Sequence, residues 1–134
     1  MAIVVGYVPT KEGRAALASA VVEAARRHVN LVVVNSQRGD KHVDDQETSA
    51  YEHEMEAATK QVKAAGLEVE IRQLVRGIDP AEDLMAVAEE IKADLIVIGL
   101  RRRTPVGKLI LGSNAQRILL DAPCPVLAVK ASDI

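Results

Sequence analysis

The chain has 134 residues, the length of one domain, and 49% of them are hydrophobic, which excludes a disordered protein. Its aromatic residues are Tyr7 and Tyr51, with no Phe and no Trp, so it has no stacking platform for single-stranded nucleic acid. A formal charge of −2 gives no bulk attraction to nucleic acid or anionic lipid, and no apolar run approaches the roughly 20 residues that span a bilayer.

Residues 2–8 form a continuous apolar run, rich in β-branched side chains, that stops at Pro9. The stretch lacks the charged start and small-residue cleavage site of a signal peptide, and it is expected to be the first strand. Thr10 can cap a first helix, in which Leu17, Ala20, Val21 and Ala24 recur at helical spacing as far as about His28. Residues 31–35 are a second apolar strand. A polar loop over 37–45 leads to a second helix, 46–65, ended by Gly66. Residues 67–74 alternate, with Leu67, Val69 and Ile71 set against Glu68, Glu70 and Arg72, which predicts an edge strand with one wet face.

Asp79-Pro80 opens a third helix, 80–92, with a capping residue followed by a proline at its first position. Residues 94–98 are a fourth strand, 113–120 a helix capped by Ser113, and 125–129 a fifth strand. Five apolar strands alternating with four helices predict an open three-layer α/β/α sandwich on a parallel sheet. With the third strand at an edge, the order is 3-2-1-4-5. No repeat, low-complexity segment or linker interrupts residues 1–134, so one domain is expected. The single Cys124 cannot form an internal disulfide, which fits a reducing cytoplasm.

In such sheets ligands sit beyond the carboxyl ends of the strands, where the strand order reverses. Here the reversal falls between strands 1 and 4, whose ends carry Tyr7, Val8 and Thr10 on one side and Ile98 and Gly99 on the other. The segment "GLRRRTPVGKLILGSNA", residues 99–115, follows strand 4. Its Gly112, Ser113 and Asn114 open a helix, where unpaired N–H groups and the helix dipole attract anions, while Arg101, Arg102 and Arg103 can supply charge. Gly99 is expected to permit a sharp exit from the strand. Two common nucleotide signatures are excluded. Gly107-Lys108 is followed by Leu109 rather than Ser or Thr, and no G-x-G-x-x-G follows strand 1.

Three stretches, "IVVGYVPTKEGRAAL", "LVRGIDPAEDLMAVAEEIKADLIVIG" and "GKLILGSNAQRILLDAPCPVLAVK", make the chain resemble a universal stress protein of the single-domain bacterial kind. The resemblance covers essentially the whole chain. One branch of that family binds ATP or related adenine nucleotides through G-x2-G-x9-G-[S/T]. Here the frame keeps its length, as Gly99, Arg102, Gly112 and Ser113, with arginine in place of the second glycine. The family often has an aspartate, a glycine and a serine at the end of strand 1, where this chain has Val8, Pro9 and Thr10. Ser36 aligns with a position whose backbone faces the base in binding members. The resemblance thus implies an adenine nucleotide (ATP, AMP or cyclic AMP), with magnesium accompanying the phosphates. It equally admits the branch without the motif, a protein-interaction module with no nucleotide.

No Ser/His/Asp or Cys/His constellation can be assembled, so the chain is not read as an enzyme, and any ATP hydrolysis is expected to be slow and incidental. His28, His42 and His53 lack metal-ligand spacing. Glu52, Glu54 and Glu56 are expected on the solvated face of the second helix. Cys124, between Pro123 and Pro125, is expected to be a structural thiol. The last strand is apolar and lies at a sheet edge, which invites pairing with another chain. The family's corresponding strand pairs with its twin, so Val126, Leu127, Ala128 and Val129 are the expected homodimer contacts.

Overall fold

A computed structural model describes residues 2–35, 45–73, 79–100 and 111–131. The elements in chain order are β1 (Ala2–Tyr7), α1 (Lys11–Arg27), β2 (Asn30–Asn35), α2 (Asp45–Ala64), β3 (Val69–Gln73), α3 (Pro80–Glu90), β4 (Leu95–Leu100), α4 (Ser113–Asp121) and β5 (Val126–Lys130). All strand pairings are parallel and the order is β3-β2-β1-β4-β5, as the sequence implies.

Each face of the sheet buries its own set of side chains, because successive residues of a strand point to opposite sides. Ile3, Val5, Leu31, Val33, Leu95 and Val97 pack under α1 and α2. Val4, Val32, Val34, Ile96 and Ile98 pack under α3 and α4. Helix α1 presents Ala16, Ala20 and Ala24 at four-residue intervals, so small side chains meet the sheet and the helix lies close to it. Burying each Val or Ile is worth about 1.5–3 kcal/mol. An exposed ion pair is worth about 0–1 kcal/mol, so the aliphatic core, not the surface arginines, holds the layers together.

The helix ends follow their local chemistry. Thr10 caps α1, its hydroxyl accepting from the Gly13 amide at 3.2 Å. His28 closes α1 in the left-handed conformation at φ 56°, and Gly66 (φ 80°) follows α2. Asp79 caps α3, accepting from the Ala81 and Glu82 amides at 3.1 and 3.3 Å.

Three expectations need correction. Gly112, not Ser113, occupies the N-cap of α4; it is extended (φ −68°, ψ 164°), and Ser113 is the first helical residue. Glu54 is not on the solvated face of α2: it turns inward to accept from the Tyr7 hydroxyl and from Arg14 Nε at 2.6 Å. In β3, Ile71 is 40% exposed while Arg72 is half-buried. Helix α2 leaves a groove over Ile71, whereas the Arg72 guanidinium reaches Glu70 at 3.1 Å and Glu90 of α3 at 2.5 Å. A charged head held at the rim lets the aliphatic stem cover the sheet.

Main-chain packing also closes the turn from β1 into α1. A Cβ on Gly13 would stand 1.8 Å from the Val8 carbonyl oxygen, which also accepts from the Thr10 amide at 2.8 Å. Neither backbone can retreat without breaking the cap. Gly13→Ala should therefore destabilise the fold by about 3 kcal/mol, read as a lowered denaturant midpoint at unchanged slope.

Candidate functional site

The carboxyl ends of β1 and β4 flank a cleft of about 150 Å³. Gly6, Tyr7 and Val8 form one side and Ile98 and Gly99 another. Glu12 and Gly13 from the first turn of α1, Pro80, Ala81 and Leu84 from α3, and Asn114, Ala115 and Ile118 from α4 complete it. The starts of three helices therefore meet at the reversal of strand order, as the doubly wound topology requires.

Of the residues singled out in the sequence, Tyr7, Val8, Ile98, Gly99 and Asn114 line this cleft. Thr10, Gly112 and Ser113 stand at the adjoining helix starts without lining it. Ser36, Arg101, Arg102 and Arg103, like His42, lie outside the described residues. Sequence reasoning missed Glu12, Gly13 and the α3 contributors. Asp79-Pro80 signalled where α3 starts, but only the crossover brings that start to the cleft.

Tyr7 serves two faces. Its ring belongs to the core under α1 and α2, 5.7 Å from the Tyr51 ring at an interplanar angle of 55°. Burial and the Glu54 carboxylate hold its hydroxyl well above the usual phenol range, so it stays a neutral donor.

Gly99 is not where β4 turns away. The strand continues through Leu100, and Gly99 still pairs with Val129 of β5. Its missing side chain has another cause: a Cβ there would lie 2.1 Å from the Glu12 carbonyl oxygen. The first turn of α1 rests directly on the backbone of β4.

The three helix starts differ in charge. Thr10 and Asp79 spend their oxygens on the amides of α1 and α3, and those first turns carry Glu12, and Glu82 with Asp83. Among the described residues, helix α4 has no side-chain cap, and its first turn carries no acidic residue. Uncapped N–H groups and the positive end of the dipole make it the start best suited to an anion.

One ion-pair network ties α4 to α3. Arg117 donates from one guanidinium nitrogen to Asp79 and from the other to Glu82 Oε1 at 2.9 Å. The guanidinium beside Asp79 holds that carboxyl below the usual range. Cys124 is half-buried; burial first, and the Asp94 charge second, push its thiol up, which suits a structural role. Among the described residues no group of three His, Cys, Asp or Glu side chains is placed to hold a metal, and no helix is long and apolar enough to cross a membrane. A larger groove of about 770 Å³ lies between α2 and β3. Its charged residues, among them Glu52, Glu56, Lys60 and Lys63, are exposed and mixed in sign, and it lies away from the strand reversal.

The universal stress protein family model matches residues 1–130. The chain belongs to the universal stress protein family. A universal stress protein of Mycolicibacterium smegmatis is 47% identical over 129 residues, which is 96% of each chain. The solved structure of a universal stress protein from Archaeoglobus fulgidus in complex with dAMP superposes with a TM-score of 0.69 at 31% identity, covering 97% of this chain and 98% of that one. A second universal stress protein, solved in complex with cAMP, superposes at 0.71 with 26% identity, covering 98% of both.

The depressed Asp79 carboxyl gives this universal stress protein a pH-linked contribution to stability. A group whose folded pKa lies below its unfolded value stabilises above the unfolded pKa, and that stability is lost as pH falls through the folded value. Arg117→Leu should shrink the difference in urea midpoint between pH 7 and pH 3, whereas an unchanged difference would remove the linkage.

Proposed function

We propose that this universal stress protein binds an adenine nucleotide at the cleft between β1 and β4, with a phosphate at the start of α4, and acts in the cytoplasm as a stress-response protein rather than an enzyme. The observation that carries the proposal is the uncapped, acid-free start of α4 beside a cleft at the reversal of strand order. Two relatives of the same fold, solved with dAMP and cAMP, support the class of ligand. The cleft is smaller than the roughly 300–1,000 Å³ of common ligand pockets, so it takes the sugar and first phosphate rather than a whole nucleotide. Magnesium enters only as the counter-ion of the phosphates, and ATP hydrolysis is incidental.

A second reading, a nucleotide-free interaction module, draws on the apolar character of the lining and on Val8, an apolar side chain 37% exposed at the end of β1. Calorimetric titration of nucleotide-stripped protein with ATP, AMP and cyclic AMP separates the two. The nucleotide reading expects a dissociation constant in the micromolar range, about −8 kcal/mol, lost in Gly112→Val. A folded wild-type protein giving no heat with any of them favours the second reading.

Both readings include a homodimer through β5, which among the described residues pairs only with β4 and keeps Val126, Leu127, Ala128 and Val129 half-buried at the sheet edge. An apolar edge left unpaired is an aggregation site. Sedimentation at micromolar concentration should give twice the mass of the 14.4 kDa chain; a monomer there would remove the proposal.

A further inference from the structure

Strand β3 ends the sheet: among the described residues it pairs with β2 alone. The Glu68 carbonyl faces β2, where it accepts from the Leu31 amide at 3.0 Å. Peptide groups alternate in direction along a strand, so those of Glu70 and Arg72 face β2 as well. The N–H and C=O groups of Val69, Ile71 and Gln73 therefore point away from the sheet, along an edge open to another strand. Helix α2 does not cover this edge, and Ile71 is 40% exposed in the groove beside it.

What an edge accepts depends on its side chains. Toward α3, β3 carries Glu70 and then Arg72; toward α2 it carries Val69, Ile71 and Gln73. Reversing the strand about Ile71 exchanges Glu70 with Arg72, so the charges of β3 complement those of its own antiparallel copy. Helix α2 repeats the pattern. The charged side chains it turns to the groove include Glu52, Glu56, Lys60 and Lys63, acidic at one end and basic at the other. These four are exposed, and none forms a salt bridge among the described residues. Two adjoining elements thus share one reversal of sign, which a two-fold axis turns into attraction.

We propose that the edge of β3 and the groove beside it form a self-association surface, occupied by β3 of a second copy of this chain, antiparallel and centred on Ile71. In that register Ile71 faces its own counterpart and Val69 faces the partner's Gln73, and these are the pairs whose N–H and C=O groups bond. Glu70 then stands opposite the partner's Arg72, at the closer spacing of about 4.5 Å between Cα atoms. Arg72 keeps Glu90 and exchanges its own Glu70 for the partner's. On the other face the two α2 stripes run antiparallel beside the axis, Glu52 and Glu56 of one copy toward the partner's Lys63 and Lys60. The surface lies at the opposite edge of the sheet from β5 and does not depend on a homodimer there. Strand β5 is aliphatic from Val126 to Val129 while β3 alternates carbon with charge, so the β3 contact is the weaker and forms at higher concentration.

Disulfide cross-linking at the axis tests the proposal. Ile71→Cys in a Cys124→Ser background brings two thiols within disulfide reach when β3 pairs with β3, whereas pairing through β5 holds them at opposite ends. Val22→Cys, on the exposed side of α1, gives the rate of random collision. At roughly 100 μM protein, Ile71→Cys should cross-link about tenfold faster than Val22→Cys. Adding Glu70→Arg sets arginine against arginine, and adding Arg72→Glu sets glutamate against glutamate. Each alone should slow the cross-link roughly tenfold, and an equimolar mixture of the two should restore it. Damage to folding would not be rescued by mixing. Cross-linking no faster than Val22→Cys, charge reversal without effect, or a mixture that stays slow overturns the proposal. If Ile71→Cys fails to fold, sedimentation of Glu70→Arg and Arg72→Glu proteins that keep Ile71 decides: a gain in mass on mixing supports the contact, and an unchanged mass overturns it.

Discussion

Helix α1 touches the sheet through backbone, and that contact sets the shape of everything at the carboxyl edge. Gly99 of β4 has no side chain because the Glu12 carbonyl occupies the space one would need, and Gly13 has none because the Val8 carbonyl does. With both contacts made, the end of β1, the start of α1 and β4 form one rigid corner. Backbone groups packed this closely cannot adjust by changing rotamers, so the corner has one geometry. The cleft is the space that this corner leaves against α3 and α4.

The far wall is held differently. Arg117 spans from α4 to Asp79 and Glu82 of α3, fixing two helix starts relative to each other through hydrogen-bonded charge rather than steric contact. Arg117 and Asp79 are partly exposed and Glu82 is exposed, so the network contributes modestly to stability and chiefly to register. One side of the cleft is thus set by sterics and insensitive to pH, while the other is set by an ion pair that acid weakens. The start of α4 belongs to the second side.

Much of this was legible in the residues. The apolar runs, the Thr10 and Asp79 caps and Gly66 placed the elements to within a few residues, because each signal is local. The strand order rested on a single segment, the alternating stretch around Val69 and Ile71, and it held although Ile71 proved exposed. What could not be read was whatever joins distant positions. Tyr7 and Glu54 are 47 residues apart and Asp79 and Arg117 are 38 apart, and no periodicity marks either pair. Gly99 suggests a turn in sequence because the side chain it excludes would meet α1, far away in the chain. Gly112 and Ser113 are both competent caps, and local propensity does not separate neighbours one residue apart.

The central claim is that the corner between β1 and β4, and not the larger groove between α2 and β3, is where this universal stress protein meets a nucleotide. Following backbone amide chemical shifts while AMP is added to isotope-labelled, nucleotide-stripped protein tests it residue by residue. The account predicts saturable changes concentrated at residues 8–13, at Gly99 and at 112–115. Changes confined to residues 51–63 and 71–73 along the groove, or no changes at saturating AMP, would contradict it.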